Sequence, residues 1–421
     1  MAERVILVGI GLKREAPAMA ASLSELHRLT ETAGGEVAGV ISQSVTRCHP
    51  GTLIGEGKVA ELAAAVRSRA ATAVIFDREI SPAQQKTLEA ALRAKIIDRT
   101  RLILDIFAKR ARTSEGRLQV ELAQLSYMLP RLTGAWRGFS QQIGGIGTRG
   151  PGERQLEYER RHIQYRIRHL RTGLERIRAA RTLRRERRQA IPVPQVAIIG
   201  YTNVGKSTLL NTLTRGGARV YADDKLFATL DPTARRVRLP EGSWAVMTDT
   251  VGFIRRLPTA LIAAFRATLE EAALADCLLV VADASSPEAD AQQAAVAETL
   301  QDLGADRLPQ VHLFNKIDTL RPEQLRDLET RHPEGIFISA ATGAGVGAAL
   351  EAVQDALAQR WLLREITLPA AQAYAQSEFI RSAGQVLSQS MTEDKMNLRL
   401  RLTRENWDRL RKKLAATKEK P

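Results

Sequence analysis

The stretch that decides the fold is QVAIIGYTNVGKS at residues 195–207. Its apolar first half predicts a buried β-strand, and the rest matches GxxxxGK[ST], the loop that joins such a strand to a helix. The glycines let backbone N–H groups close around phosphate oxygens, and the helix adds its positive end. We expect Lys206 to reach the β- and γ-phosphates of a nucleotide and Ser207 to ligate Mg²⁺. The expected phosphate-binding residues are Gly200, Tyr201, Thr202, Asn203, Val204, Gly205, Lys206, Ser207 and Thr208.

Three more motifs follow in order at predicted strand ends. In Asp249-Thr250-Val251-Gly252, the aspartate can hold Mg²⁺ through water and the glycine amide can sense the γ-phosphate. In Asn315-Lys316-Ile317-Asp318, the last carboxylate can accept hydrogen bonds from the N1 hydrogen and the 2-amino group of guanine, which adenine cannot offer. Ser339-Ala340-Ala341 stands where a backbone N–H would meet the guanine O6. Together these motifs predict binding of GTP and GDP rather than ATP.

The segment FATLDPT at residues 227–233 lies between the first two motifs, in the position of a switch loop. A threonine is needed there to complete the coordination of Mg²⁺ when the γ-phosphate is present. We choose Thr229, with Thr233 as the alternative. The residues of this loop expected at the nucleotide are Phe227, Ala228, Thr229, Leu230 and Asp231. The expected metal ligands are Ser207, Thr229 and Asp249, and the expected catalytic residues are Lys206, Thr229 and Gly252.

One position departs from the Ras-like pattern. Phe253 follows the DTVG motif where Ras-like proteins carry a water-orienting glutamine, and its ring cannot hydrogen-bond a nucleophilic water. Intrinsic hydrolysis is therefore expected to be slow and to be accelerated by a partner. Asn203 matches the residue that ligates K⁺ in potassium-stimulated GTPases, so activation by K⁺ is a further hypothesis. No side chain is expected to act as an acid or base, because phosphoryl transfer depends mainly on positioning and charge stabilisation.

Composition restricts the class of protein further. The 421 residues carry a formal net charge of +15, which points to a polyanionic partner. Most of the excess lies between Arg110 and Ala190, where 19 Arg, no Lys, 7 Glu and no Asp give +12. The two cysteines, Cys48 and Cys277, support neither a disulfide framework nor a thiolate metal site. Without an apolar run long enough to span a bilayer, we expect a cytoplasmic protein with no stable membrane insertion.

The predicted fold class is α/β, with four parts. Residues 1–109 alternate short apolar strands with helices and predict a small α/β subdomain with a mostly parallel sheet. Residues 110–190 form a basic helical hairpin, and residues 193–364 a doubly wound, mostly parallel P-loop domain. Residues 365–421 predict a small α+β domain of unassigned role.

The hairpin prediction rests on leucine spacing. Leu118, Leu122, Leu125, Leu129 and Leu132 repeat in steps of four and three, and a second seam runs from Leu156 to Ile177. Pro130 is expected to kink the first helix or to end it early. The connecting loop, residues 134–152, holds seven glycines with Trp136 and Arg149, which suits contact with RNA. The alternatives are a solvated loop tip, and an arginine-rich helix that is only a solvated face.

These motifs together resemble the HflX family of GTPases. The similarity covers about residues 48–360 and includes GTLIGEGK at 51–58, the stretch from Ile96 to Gly134, GGIGTRGPGERQLE at 144–157, GYTNVGKSTL, FATLDPT and DTVGF. The resemblance implies a GTP hydrolase that is stimulated by the ribosome. It would bind the large (50S) ribosomal subunit, with the glycine-rich loop directed at rRNA near the peptidyl transferase centre. It would couple GTP turnover to ribosome dissociation, rescue or recycling, especially under stress, and be a monomer off the ribosome.

Other functions stay open at this point. Ribosome biogenesis and anti-association are alternatives within the same resemblance. A signalling switch that binds proteins or membrane would use the charge only for solubility. An ATP-dependent rRNA remodeller would use the N-terminal domain, where relatives of this kind are described as binding nucleotide. Here Gly55-Glu56-Gly57-Lys58 lacks a following Ser or Thr, so we interpret it first as the entry turn of a helix.

Overall fold

The computed structural model describes residues 3–12, 16–134, 151–188, 193–214, 227, 232–255, 272–358 and 361–418. The chain divides into two compact units. The first comprises Met1–Arg176, Lys225–Leu230 and Arg255–Phe265, and the second comprises Ile177–Asp224, Asp231–Ile254 and Arg266–Pro421. No helix among the described residues combines the length and the apolarity that a membrane span requires.

The first unit begins with a four-stranded parallel sheet of order β2-β1-β3-β4. Every residue of β3, sequence AVIF, is buried, as expected for a strand covered on both faces. The predicted alternation of short apolar strands with helices in residues 1–109 is therefore confirmed. The elements are β1 (Arg4–Leu12), α1 (Ala16–Ala33), β2 (Glu36–Val45), α2 (Glu56–Ser68), β3 (Ala73–Phe76), α3 (Pro82–Leu92), β4 (Lys95–Asp98) and α4 (Arg99–Arg110). The predicted helix-entry turn at Gly55 is observed, because Gly55 is the N-cap of α2.

A buried ion-pair cluster lies at the carboxyl ends of β3 and β4. The guanidinium of Arg99, at the start of α4, is 2.7 Å from Asp77 Oδ1 and 3.0 Å from Glu25 Oε2. All three side chains are no more than 3% exposed. A buried charge is tolerated only when it is paired, so each carboxylate is needed to keep the guanidinium in place.

We expect Asp77→Ala to destabilise the first unit by about 3–5 kcal/mol, because it leaves Arg99 buried with one carboxylate fewer. Urea unfolding followed by far-UV circular dichroism measures the change at the transition of this unit. Glu79→Ala is the matched control. Glu79 is 71% exposed, and its carboxylate is as far as 4.0 Å from the guanidinium of Arg131. Equal midpoints for the two variants would show that the buried pair contributes nothing.

The helical hairpin is formed by α5 (Ser114–Met128), a 3₁₀ turn (Leu129–Gly134) and α6 (Pro151–Arg188). Leu118 lies next to Gly173, and Glu121 forms an ion pair of 2.7 Å with Arg166. Positions that rise along α5 thus meet positions that fall along α6, which confirms an antiparallel arrangement. The α-helix ends at Met128, so Pro130 terminates it rather than kinking it. The predicted glycine-rich tip, apart from its ends, lies outside the described residues.

The predicted leucine seam on α5 was only partly right. Its leucines are half-buried, whereas Gly116, Gln119, Val120, Ala123 and Tyr127 are the buried positions. This stripe faces the core because α5 packs against α4. On α6 the predicted positions Ile167, Leu170 and Leu174 are buried.

The second unit contains a six-stranded sheet of order β10-β9-β8-β5-β7-β6. All neighbours are parallel except β6 and β7, so the doubly wound, mostly parallel prediction is confirmed. The strand β6 was not predicted, because its alternating arginines are exposed. The elements are β5 (Gln195–Gly200), α7 (Lys206–Leu213), β6 (Thr233–Arg238), β7 (Trp244–Asp249), β8 (Cys277–Asp283), α8 (Ala289–Asp302), β9 (Gln310–Asn315), α9 (Pro322–Arg331), β10 (Ile336–Phe337) and α10 (Val346–Ala358).

The chain ends in a three-stranded antiparallel sheet of order β11-β13-β12 with three helices. These are β11 (Trp361–Pro369), α11 (Ala370–Ala375), α12 (Ser377–Ala383), β12 (Gln385–Thr392), β13 (Lys395–Thr403) and α13 (Arg404–Lys418). Arg401 of β13 is 1% exposed and is bound by Glu241 and Ser243, in the turn between β6 and β7. The sequence did not reveal β12, whose second half is polar and exposed.

Candidate nucleotide-binding site

The predicted phosphate-binding loop connects β5 to α7. Gly205 is the N-cap residue of α7 and has a φ of +91°. A Cβ on Gly205 would collide with the side chain of Asn315. Gly200 has φ of +150° and packs against the backbone of Val281. Asn203 adopts φ of +63°, which asparagine tolerates better than most residues. The loop therefore has the curved backbone that directs N–H groups toward phosphate oxygens.

Lys206 lies inside this loop. Its side chain is 7% exposed, and Nζ donates to the carbonyl oxygens of Gly200 at 3.2 Å and Tyr201 at 2.7 Å. Burial lowers the pKa of the ammonium group to about 8, and the nearby carboxylate of Asp249 opposes that shift. The charge is held at the mouth of the loop, where a phosphate would offer it stronger partners than two carbonyls.

Two of the predicted metal ligands are adjacent. The Ser207 hydroxyl, in the first turn of α7, donates to Asp249 Oδ2 at the end of β7 over 2.6 Å. Both groups present oxygen, the ligand type that Mg²⁺ prefers, so this pair fits an Mg²⁺ site of the P-loop kind. Thr229, the third predicted ligand, lies outside the described residues, as do Ala228, Leu230 and Asp231. Thr233, the alternative, is half-buried at the start of β6.

Asn315, at the end of β9, joins the loops of the site. Its Nδ2 donates to the Val204 carbonyl at 2.7 Å, and its Oδ1 accepts from the Ala340 backbone N–H at 2.8 Å. The Thr212 hydroxyl donates to the Ala340 carbonyl at 2.6 Å. Asn315 is 2% exposed. Asn315 therefore connects the phosphate-binding loop to the Ser339-Ala340-Ala341 segment through hydrogen bonds within the chain.

Asp318 and Lys316 occupy the base-recognition end. Asp318 lies in a 3₁₀ turn (Ile317–Thr319) and is exposed, which leaves its carboxylate accessible to a ligand. Lys316 Nζ is 2.6 Å from Asp283 Oδ2, at the end of β8. Asp283 was not predicted as a site residue, although it ends the apolar strand β8, which lies next to β9. Its contact fixes the lysine that precedes the base-recognition turn.

The DTVG segment is tied to the phosphate-binding loop. Thr202 N donates to the Phe253 carbonyl at 2.8 Å, and Phe253 N donates to the Gly200 carbonyl at 3.0 Å. The Thr250 hydroxyl donates to the Ile198 carbonyl at 2.8 Å, so this residue has a structural role. Phe253 is 4% exposed and belongs to the hydrophobic core, which agrees with the expectation that it cannot orient water.

Phe227, the one described residue of the segment 225–231, groups with the first unit. It is 2% exposed, and its ring packs edge to face on Phe107 of α4, with centroids 4.5 Å apart. Its φ of +58° is rare for an aromatic residue, so this contact holds a strained backbone. The side chain of Phe227 makes this aromatic contact, and the role of Phe227 at the nucleotide stays a prediction.

A parallel sheet with GxxxxGKS, DTVG and NKID at the carboxyl ends of β5, β7 and β9 defines a P-loop GTP hydrolase. Family models agree along the chain. Residues 20–108 match "GTP-binding GTPase N-terminal", residues 110–188 match "GTP-binding GTPase Middle Region", and residues 195–316 match "50S ribosome-binding GTPase".

The relatives give the family. GTPase HflX of Caldanaerobacter subterraneus is 45% identical over 97% of this chain and 93% of its own length. GTPase HflX of Escherichia coli K12 is 43% identical over 92% of this chain and 91% of its own length. The chain belongs to the HflX family of GTPases. SsGBP in complex with GDP is similar in fold at a TM-score of 0.46 and 23% identity, covering 85% of this chain and 99% of that one, which adds nothing to the assignment.

The lowered pKa of Lys206 predicts a pH dependence of nucleotide affinity. Below about pH 8 the ammonium group is charged in the free protein, so affinity is independent of this group. Above that pH the free protein must take up a proton before the lysine can bind phosphate, so GDP affinity should fall roughly tenfold by pH 9. Isothermal titration calorimetry in buffers of different ionisation enthalpy measures both the affinity and the proton uptake. Lys206→Arg, always charged, should give a flat profile; a flat profile for the wild type would contradict the prediction.

Proposed function

We propose that this GTPase binds the large ribosomal subunit and couples GTP binding and hydrolysis to ribosome dissociation, rescue or recycling, especially under stress. The observation that supports it most is the cationic helix α6, whose described arginines are mainly exposed. A polyanion of folded RNA is the partner that such a surface fits. The matching family description, "50S ribosome-binding GTPase", and the HflX relatives support the same partner. Ribosome biogenesis or anti-association remains an alternative task for the same surface.

One face of α6 carries aromatic as well as basic groups. Tyr158 is 72% exposed, Tyr165 is 64% exposed, and Arg161 between them is 75% exposed. With Arg168 these residues follow steps of three, four and three, so they share a helix face. Exposed tyrosines can stack on unpaired bases while arginines pair with phosphates, a combination typical of RNA-binding surfaces.

We further propose roles for the site residues. Lys206, Gly252 and the phosphate-binding loop would hold the phosphates, and Mg²⁺, held by Ser207, Asp249 and Thr229, would neutralise charge on them. Asp318 would select guanine, with Asn315 and Lys316 positioning its turn. K⁺ bound at Asn203 would assist hydrolysis. The glycine-rich loop at residues 134–152 would contact rRNA near the peptidyl transferase centre, and the protein would act in the cytoplasm as a monomer off the ribosome. The ribosome would accelerate hydrolysis.

The surface proposal is tested by removing charge from the tyrosine face. The double variant Arg161→Gln, Arg168→Gln should bind large subunits at least tenfold more weakly, and the slope of log affinity against log salt should fall by roughly 1.5. Sedimentation at several KCl concentrations measures both. Arg326→Gln, which removes an exposed arginine from α9, is the control and should bind normally. Unchanged binding by the double variant, or a salt-independent wild type, would favour a signalling switch.

Base selection is tested with Asp318→Asn. The amide would lose the pair of charge-assisted hydrogen bonds to guanine, so GTP affinity should fall roughly a hundredfold while affinity for xanthosine triphosphate rises. Fluorescence competition measures both nucleotides. If ribosome-linked activity with ATP persisted in this variant, ATP-dependent rRNA remodelling by the N-terminal domain would be the better reading.

A further inference from the structure

Thr202 has a buried hydroxyl group without a hydrogen-bond partner in the described part of the chain. The residue is 6% exposed, and its Oγ1 has no hydrogen-bond partner among the residues that the structure describes. Buried polar groups in native proteins nearly always find a partner, and an exception calls for an explanation such as a ligand. The other serine and threonine hydroxyls of the two phosphate-facing motifs are already bonded, Ser207 to Asp249 and Thr250 to the Ile198 carbonyl.

The position of Thr202 indicates which ligand. A Cβ placed on Gly252 would lie 2.8 Å from Thr202 Cγ2 and 2.9 Å from Lys206 Nζ. The methyl group of Thr202 and the ammonium group of Lys206 therefore flank the same point beside Gly252, and the Thr202 hydroxyl lies on the same side chain. The DTVG glycine and this lysine are two groups of the fold that are expected at the terminal phosphate. The Thr202 side chain thus stands at the γ-phosphate end of the loop.

Among the described residues, the one that follows the DTVG motif cannot orient a water for hydrolysis. Phe253, the residue after the DTVG motif, is buried in the core and bonded through its backbone to Gly200 and Thr202. Its ring can neither donate nor accept a hydrogen bond. The same backbone bonds bring Thr202 against the segment that would otherwise supply the polar group.

We propose that Thr202 is a positioning residue for hydrolysis, whose hydroxyl hydrogen-bonds the water that attacks GTP. The water oxygen forms the bond to the γ-phosphorus, and the bond to the β–γ bridging oxygen breaks with its electron pair leaving on GDP. The water proton leaves on inorganic phosphate, so Thr202 gains and loses nothing. Its contribution is orientation, since a few degrees of misalignment slow an in-line attack. The inference rests on the proposed assignment of this loop as the nucleotide site.

The test compares Thr202→Val, Thr202→Ser and the control Thr214→Val. Valine keeps the shape without the hydroxyl, and serine keeps the hydroxyl. The Thr214 hydroxyl donates to the carbonyl oxygens of Leu210 and Asn211 in the preceding turn of α7. Single-turnover GTP hydrolysis should fall roughly 10- to 100-fold in Thr202→Val, a range typical of losing one group that orients a reactant, and stay within about threefold of wild type in the other two. GDP affinity should be unchanged in all three.

Each other outcome has a separate meaning. Hydrolysis by Thr202→Val at the wild-type rate would overturn the proposal, as would equal slowing by the valine and serine variants. Should the valine variant fold poorly, Thr202→Ala against Thr202→Ser gives the same comparison, and an alanine variant as fast as serine would overturn it too. Lys206→Ala tests the underlying assignment independently: GDP affinity left intact in that variant would refute this loop as the nucleotide site, whatever Thr202 does.

Discussion

The nucleotide-binding half of the molecule depends on the two hydrogen bonds of Asn315. One bond holds the phosphate-binding loop through Val204, and the other holds the Ser339-Ala340-Ala341 segment through the Ala340 N–H. Both are buried, and an amide is needed because one end must donate while the other accepts. A carboxylate or an aliphatic side chain would leave a buried backbone group without a partner, which is costly. The two hydrogen bonds thereby hold together segments that are more than a hundred residues apart in sequence.

The phosphate-binding loop depends on specific contacts in the same way. Gly205 must be glycine for its left-handed backbone, and the space that a side chain would take is filled by Asn315. Lys206 is buried against two carbonyls, so its ammonium group is poorly solvated and its pKa is low. A site that holds a destabilised charge in place binds phosphate with little reorganisation, which is the property that phosphoryl transfer requires.

Charge is distributed unevenly between the parts of the chain. The sheet of the GTPase domain has strand β8 fully apolar up to its last residue, while the helical hairpin carries +12 of the net +15. Arginine, rather than lysine, supplies that excess, and its planar guanidinium can pair with two phosphate oxygens and stack on a base. The exposed tyrosines of α6 add flat surfaces to the same face. The same chain therefore contains a phosphate-binding domain and a helical hairpin of different surface chemistry.

The sequence by itself determined the α/β class, nearly all strands of the two mainly parallel sheets, the helical hairpin and the order of the nucleotide motifs. It could do so because buried parallel strands are continuous apolar runs, and because phosphate loops require glycine at fixed spacings. It missed β6 and β12, whose exposed residues carry no apolar pattern, and it misjudged the buried face of α5, which the contact with α4 selects. Only the tertiary structure showed that Asn315 ties loops together, that Asp283 holds Lys316, and that the Thr202 hydroxyl is buried with no bonding partner among the residues described. Hydrogen-bond partners distant in the chain leave no periodicity in the sequence, so the fold has to bring them together before they can be recognised.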